Sequence, residues 1–567
     1  MDTAVLSTGI ADRPTEMQSL PINPSIVDPL WWRSAVIYQV YIRSFADGNG
    51  DGTGDLAGVR SRLGYLRDLG VDALWFTPWY ASPLADGGYD VEDYKTIHPS
   101  FGDLAEAEAL IREALALGIR TIIDVVPNHT SAEDPWFKAA LASPPGSPER
   151  ERFWFRPGKG ENGDEMPNHW VSNFSGDTWT RTTNPDGTPG EWYLHLFTPE
   201  QPDLNWNHPD VKAMFEDVLR FWFDRGVAGV RIDSAALLVK DPDLPEVPED
   251  IEPGQHPNTD RDELHDIYRS WREIADSYQG ARILVGEIWL PDSERFAKYL
   301  RPDEMHTAFN FDFMARPWDA RELRESIDSM LAAHAPVGAP STWVLSNHDV
   351  TRPVTRYGRA DTSFAFATKR FNTPTDLALG LRRSRAAALL SAALPGSLYV
   401  YQGDELGLPE AESIPVEVLQ DPMYFRSDGV DPGRDGCRVP LPWSGTRPPY
   451  GFEPEGSASP PWLPQPDDWA GLTVAAEAGD SASMLSLYRT ALSIRRSHPA
   501  LGDGTLTWVD AQDGVLSFTR GLGFQSVTNL SDVPVELPPH VRLLLSSTPL
   551  ENGLLPSDST AWLRTQH

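Results

Sequence analysis

Five short clusters in this 567-residue chain carry side chains capable of nucleophilic, acid–base or hydrogen-bonding chemistry. In chain order they are GGYD with Tyr89 and Asp90, DVVPNHT with Asp124, Asn128 and His129, GVRIDS with Arg231 and Asp233, GEIW with Glu287, and SNHD with His348 and Asp349. Arg231 precedes Asp233 by two positions, so on a strand the two side chains share a face and the cation favours an ionised Asp233. A further stretch, Asp47-Gly-Asn49-Gly-Asp51-Gly-Thr53-Gly-Asp55, sets oxygen donors at alternate positions between glycines, a pattern suited to hard cations. Position twelve of that stretch is Gly58 instead of Glu, which argues against an EF-hand. Each cluster taken alone equally suits a loop brace, and the glycine-rich stretch equally suits a turn bonded to itself.

The elements around the clusters decide between these readings. From about 30 to 405, short β-branched runs alternate with amphipathic helical stretches, which predicts βα units carrying a parallel sheet. Eight runs stand at 36–42, 72–77, 120–126, 227–233, 282–288, 307–313, 342–347 and 397–402, enough for a closed (β/α)8 TIM barrel. Between them, stretches such as 103–118 and 210–226 space apolar residues by three and four and stop at Gly. In a barrel the C-terminal strand ends converge on one mouth, and the clusters sit at the ends of the third, fourth, fifth and seventh runs and in the loop after the second. The predicted division is a loose tail at 1–29, the barrel at 30–129 and 210–485 with a lid at about 410–480, an inserted small domain at 130–209, and a C-terminal antiparallel β-sandwich at 486–567.

Composition narrows the function classes. Lys and Arg number 48 against 82 Asp and Glu, a net charge of −34 that repels phosphate and anionic lipid, so nucleic acid and membrane are excluded as partners. No apolar stretch approaches the roughly 18–20 residues of a membrane helix. The tail carries acids and prolines where a leader needs a basic start and an apolar run, and the single cysteine, Cys437, allows no intramolecular disulfide and no Cys-rich zinc site. A cytoplasmic protein is expected, monomeric or homodimeric. Twenty Trp suit stacking on sugar faces as well as a large core.

In order and spacing, DVVPNH, GVRIDS, GEIW and SNHD resemble the diagnostic regions of the α-amylase superfamily of glycoside hydrolases, family 13. QPDLNW, HPSFGD, PNHWVSNFSGDTW, YQGDELG and GRDGCRVPLPW resemble its α-glucosidase and oligo-1,6-glucosidase branch. The resemblance covers nearly the whole chain after the tail and implies a retaining reaction, in which one carboxylate attacks the anomeric carbon and a second, about 5–5.5 Å away, protonates the leaving oxygen. It implies Asp233 as nucleophile, Glu287 as acid and then base, and Asp349 as the third carboxylate, with His129 and His348 donating hydrogen bonds to the sugar. It further implies that Asp90 and Arg434 clamp the terminal glucose, that Arg438 pairs with that aspartate, and that Tyr89 stacks on the ring, with Phe174 and Gln201 nearby. The glycine-rich stretch resembles the branch's calcium loop, implying a structural Ca2+, or Mg2+ in its place, on Asp47, Asn49, Asp51, Asp55 and the Thr53 carbonyl, and no catalytic cofactor.

The chain departs from its branch beside the nucleophile. Ser234 stands where Val, Ala or Thr marks linkage preference, so that inference does not carry over, and Ala235, Ala236 and Leu237 suit a wider or drier acceptor side and equally suit neutral variation in a tolerant loop. The reading is an exo-acting retaining α-glucosidase acting on short α-glucosides, a small-molecule partner, with transglucosylation accompanying hydrolysis. A trehalose synthase or sucrose-type glucosyltransferase of the same family uses the same carboxylates, and a non-catalytic carbohydrate-binding protein is the remote alternative.

Overall fold

The computed structural model describes residues 28–566 apart from Pro185 and Leu522, so the expected tail lies, as far as residue 27, outside the described residues. The eight expected strands are all present: β1 (Val36–Val40), β2 (Ala73–Phe76), β3 (Arg120–Val125), β4 (Gly229–Ile232), β5 (Ile283–Gly286), β6 (Thr307–Ala308), β7 (Thr342–Trp343) and β8 (Ser397–Tyr401). They pair in parallel in the order β6-β5-β4-β3-β2-β1-β8-β7, a barrel whose only unladdered seam among them lies between β6 and β7. Thr342 bridges that seam with its side chain, donating to the Ala308 carbonyl at 2.5 Å and accepting the Asn310 N–H at 3.2 Å. The sixth strand is shorter than the run 307–313 because Asn310 caps a helix, Phe311–Ala315, by accepting the Phe313 N–H.

Both faces of the barrel strands are buried, as a parallel sheet under helices requires. Ile37, Trp75, Ile122, Ile283 and Tyr399 fill the interior, while their neighbours Tyr38, Leu74, Ile123, Leu284 and Val400 pack outward. Two residues beyond an interior position the side chain points inward again, which is how Gln39, Asp124 and Arg231 reach the C-terminal mouth. Gly229 opens β4 because a Cβ there would stand 2.4 Å from Ile283 Cγ1. The helix Pro209–Asp224 buries Val211, Phe215, Val218, Leu219 and Trp222 along one stripe and is followed by Gly226 at φ 92°.

The segment between β3 and that helix folds into a three-stranded antiparallel sheet, Phe155–Arg156, Pro189–Leu194 and Trp179–Thr183, over a cluster of Trp154, Trp170 and Trp179. The loop after β8 reaches it, with Arg426 donating to the Ser175 carbonyl at 2.8 Å and the Asp177 carbonyl at 3.0 Å. At the C-terminus, five antiparallel strands (Thr507–Trp508, Val515–Arg520, Phe524–Asn529, Ser559–Arg564, Arg542–Ser546) face a two-stranded ribbon (Val535–Glu536, Leu554–Leu555) across Val527, Val535, Leu555 and Leu563. The expected boundary at 485/486 falls inside the helix Met484–Ser497, which packs on the barrel helix Leu377–Ala393 and donates from Arg495 to the Ala392 carbonyl at 2.7 Å, so the barrel runs on through it. Among the described residues no helix is long and apolar enough to cross a membrane.

Because Thr342 satisfies two otherwise unmet backbone groups, Thr342→Val keeps the shape and loses both bonds, destabilising the barrel by about 1–3 kcal/mol for each group left unpaired. Thermal inactivation measures it; a variant as durable as the wild type would show that the seam does not depend on the hydroxyl.

Candidate active site

The strand-end clusters meet around one guanidinium. Asp124 and Arg231 are register partners on β3 and β4, and Arg231 Nη1 lies 2.8 Å from Asp124 Oδ1 and 2.7 Å from Asp233 Oδ1. Its Nη2 lies 2.5 Å from Glu287 Oε2. Arg231 is itself 1 % exposed and faces the rings of Trp75 and Tyr89. Tyr89 and Trp75 in turn donate to Asp124 Oδ2 at 2.8 and 3.3 Å.

One cation among three buried carboxylates changes the expectation for Asp233. Burial, then Glu287 and Asp124, raise its carboxyl well above the usual range, and Arg231 pulls against them without prevailing. With Arg231 between them, Asp233 and Glu287 are the two carboxyls that face the cavity, the pairing needed when one must donate and the other attack. Glu287 is fixed by further donors: the Ser234 N–H at 3.0 Å on Oε2 and the Trp289 indole N–H at 3.1 Å on Oε1. Ser234 turns its N–H there from a left-handed backbone, φ 47°, a conformation that costs a residue other than glycine about 1 kcal/mol or more.

These groups line a cavity of about 370 Å³ with Asp86, Tyr89, His129, Phe174, Ser234, His348, Asp349 and Arg434. His348 stacks on Tyr89 at 5.3 Å and 7°, its Nδ1 is 2.6 Å from Gln39 Nε2, and burial keeps it neutral. His129 is likewise held neutral, its pKa pushed down to about 3 by burial, with Nε2 at 3.1 Å from the Tyr89 carbonyl. Burial opposes the ionisation of Asp349, but His348, Arg434 and Arg438 outweigh it and keep that carboxyl well below its ordinary range.

The far wall corrects the sequence-based pairing. Asp90 does not reach Arg434 and does not line the cavity; it is fully buried and accepts the N–H groups of Ala85 and Asp86 at 2.9 and 3.1 Å. The aspartate on Arg434 is Asp86, at 2.6 Å, four residues earlier in the same loop. Arg434 also bonds Asp421 at 2.7 Å and Asp349 at 3.1 Å, and lies over the Phe174 ring at 4.6 Å. Arg438 pairs with Asp349 at 2.9 Å, not with Asp90, and like Arg231 stands behind the carboxylates instead of in the cavity wall. Gln201 reaches in from the inserted domain and donates to Asp86 Oδ2 at 3.0 Å. Asp86, Trp289, Phe366 and Met423 were not singled out from the sequence; the only signal for Asp86 was a second carboxylate beside GGYD, and for Trp289 its place after Glu287. Cys437 is buried, its thiol donating to the Arg434 and His348 carbonyls at 3.1 and 3.3 Å.

In the loop at 47–55, Asp47 Oδ1 accepts the Asn49 and Gly50 N–H groups at 3.0 and 2.6 Å and Oδ2 accepts the Gly52 N–H at 2.8 Å. Asn49 and Asp51 repeat the turn on the Asp51 and Thr53 N–H groups, both at 2.9 Å, and Asp55 caps the helix Leu56–Ser61 through the Gly58 N–H. Burial pushes the Asp55 carboxyl up to about 6, with Asp47 and Asp51 adding to the rise. Among the described residues no three or more His, Cys, Asp and Glu form a ready metal cage.

Residues 39–504 match the model of the α-amylase catalytic domain. The chain is 35 % identical over 526 residues to a probable α-glucosidase of Rhizobium meliloti (strain 1021), covering 88 % of this chain and 90 % of that protein. It is 32 % identical to an oligo-1,6-glucosidase of Parageobacillus thermoglucosidasius, covering 91 % and 93 %. Among solved structures, the α-glucosyl transfer enzyme XgtA superposes with a TM-score of 0.81 at 33 % identity, covering 94 % of this chain and 99 % of that one.

Burial pushes Asp90 up to about 6, above the roughly 3.9 of an unfolded aspartate, so the folded chain binds its proton more tightly. Its contribution to stability therefore falls as pH rises from about 4 to about 6 and is level above that. Asp90→Asn removes the titration and flattens the slope of stability against pH in that window by up to about 1.4 kcal/mol per pH unit, read from denaturant melts at several pH values; an unchanged slope would contradict it.

Proposed function

The chain belongs to the α-amylase catalytic-domain family, and from that premise we propose that it is an exo-acting retaining α-glucosidase that releases glucose from the ends of short α-glucosides. The observation that carries this reading is Arg231 touching both Asp233 and Glu287 at the floor of a cavity closed at its far side by the Asp86–Arg434 pair. Asp233 attacks the anomeric carbon while Glu287 hands its proton to the leaving oxygen; Glu287, now a carboxylate, then takes a proton from the water that opens the glucosyl ester. Arg231 stabilises the carboxylate released at each stage. Asp86, Arg434, Asp349, His129 and His348 supply the charged and neutral partners for the glucose hydroxyls, and Tyr89 the apolar face. A wall that carries the Asp86–Arg434 salt bridge suits a terminal sugar.

The transferase and isomerase alternatives use the same three carboxylates and differ in what captures the glucosyl ester; the similarity to an α-glucosyl transfer enzyme keeps that branch in view. The single cysteine is buried, and we place the enzyme in the cytoplasm as a monomer or homodimer. We also carry the cation reading of the loop at 47–55. Its carboxylate and amide oxygens are the donors a hard ion prefers, Gly50 and Gly52 at φ 80° and 90° curl the chain, and an ion there would offset the crowding of Asp47, Asp51 and Asp55 and stiffen the loop.

Glu287→Gln lowers kcat on maltose or isomaltose about 10²–10⁴-fold, with a smaller deficit on 4-nitrophenyl α-glucoside, whose leaving group needs less protonation. Asp233→Asn is inactive on both, and NMR of the wild type detects α-glucose first; initial β-glucose would overturn the retaining assignment. For the loop, Ca2+ raises the melting temperature relative to chelator and Asp51→Asn shrinks the rise. No response to Ca2+ or Mg2+ would leave the loop a self-bonded turn.

A further inference from the structure

At the N-terminal end of the barrel, opposite the mouth, lies another cavity, of about 210 Å³. Val36 opening β1, Asp72 just before β2 and Arg120 opening β3 form one side of it; Arg495, Arg496 and Gly502, from the end of the helix Met484–Ser497 and the turn after it, form the other. Its wall therefore gathers three guanidiniums in a chain whose net charge is −34. Two carboxylates share that wall and are engaged already. Asp28 Oδ1 accepts the Leu30 N–H at 2.8 Å, while Asp72 accepts the Val36 N–H on Oδ2 at 2.9 Å and Arg496 Nη2 on Oδ1 at 3.1 Å.

The cations there outnumber what these acids answer. Arg495, 4 % exposed, spends Nη1 and Nη2 on the Ala392 and Gly396 carbonyls at 2.7 and 2.5 Å. Behind it Arg520, 2 % exposed, spends its own on the Ala393 and Gly502 carbonyls at 2.8 and 3.0 Å. Neither forms an ion pair among the described residues, so carbonyl oxygens satisfy their N–H groups and leave both charges uncompensated, a costly state for buried ions. Burial lowers both guanidiniums to about 10, and Arg520 adds to the fall at Arg495. Arg496 reaches the Gly70 carbonyl and Asp72 through Nη2 alone, and its Nε and Nη1 carry no bond among the described residues. We propose that this cavity binds a tetrahedral oxyanion, inorganic phosphate or the phosphate group of a small ester, and thereby pins the helix Met484–Ser497 to the N-terminal ends of the first three strands. Guanidinium forks match the paired oxygens of phosphate, and a dianion there answers the excess charge that Arg495 and Arg520 bring. The site stands at the end of the barrel that serves stability and does not depend on the glucosidase reading.

The probe is inorganic phosphate, titrated into the full chain at constant ionic strength against chloride, with the melting temperature and the 31P NMR line width as readouts. Phosphate raises the melting temperature of the wild type in a saturable way and broadens the phosphorus signal. Arg496→Gln, at a side chain 55 % exposed and therefore tolerant of change, weakens phosphate binding about 10-fold or more, because a bond to a charged group is lost. Arg496→Lys, which keeps the charge and loses the fork, falls between the two. Each variant is compared with its own chloride baseline, so a shift in fold stability does not pass for a shift in binding. Glucose 6-phosphate titrated in the same way tells an ester ligand, which binds more tightly than the free ion, from inorganic phosphate itself. A melting temperature that phosphate raises no more than chloride does, or a rise of the same size and midpoint in Arg496→Gln, overturns the inference.

Discussion

Everything at the mouth of the barrel depends on a single buried guanidinium. Three carboxylates lie within 2.5–2.8 Å of Arg231, and without it their desolvation would be unanswered, a situation that costs several kcal/mol for each ion. The surrounding fold is organised to keep that cation in place. Register pairing sets it beside Asp124, the rings of Trp75 and Tyr89 cover it, and the same two side chains donate to Asp124. One positive charge serves three acids, and the pair that faces the cavity, Asp233 and Glu287, shares it with Asp124 behind.

A second layer of charge does the opposite. At Asp349, two guanidiniums and a histidine surround one carboxylate and drive it toward ionisation, while Asp86 and Asp421 balance Arg434 from behind. The cavity thus presents a carboxyl pair that shares one cation and, on another part of its wall, an aspartate held firmly anionic. His129 and His348, held neutral by burial, line the same cavity, and His348 turns Nε2 toward Asp349 Oδ2 at 3.4 Å, on the side that favours the ionised form of that carboxyl.

Much of the fold was legible in the sequence because its signal repeats. Eight short apolar runs alternating with amphipathic stretches identify the barrel, and the polar clusters at the ends of the third, fourth, fifth and seventh runs and after the second identify the site. Local choices that depend on tertiary neighbours were less legible. The run 307–313 is β-branched and aromatic only in part, and Asn310 turned it into a helix start after two paired residues. The GGYD loop holds two aspartates of equal sequence appeal, and which one faces Arg434 depends on the turn that spends Asp90 on the Ala85 and Asp86 N–H groups. The helix Met484–Ser497 shows its apolar stripe plainly, but nothing in that stripe says it lies on the barrel and not under the C-terminal sheet. Trp289 reads as an ordinary core aromatic until its bond to Glu287 and its place on the cavity wall are seen together.

The clasp between Arg426 and the carbonyls of Ser175 and Asp177 joins segments about 250 residues apart, and Arg434 on the same loop meets Asp86 from a third. The wall around the terminal sugar is therefore written in three distant stretches of the gene that are useful only in combination. Grafting the inserted domain of a relative onto this barrel without its matching loop would deliver foreign carbonyl positions to Arg426 and shift Arg434 with it. Evolution of a new sugar preference in this chain must then proceed by coordinated change at separated loci.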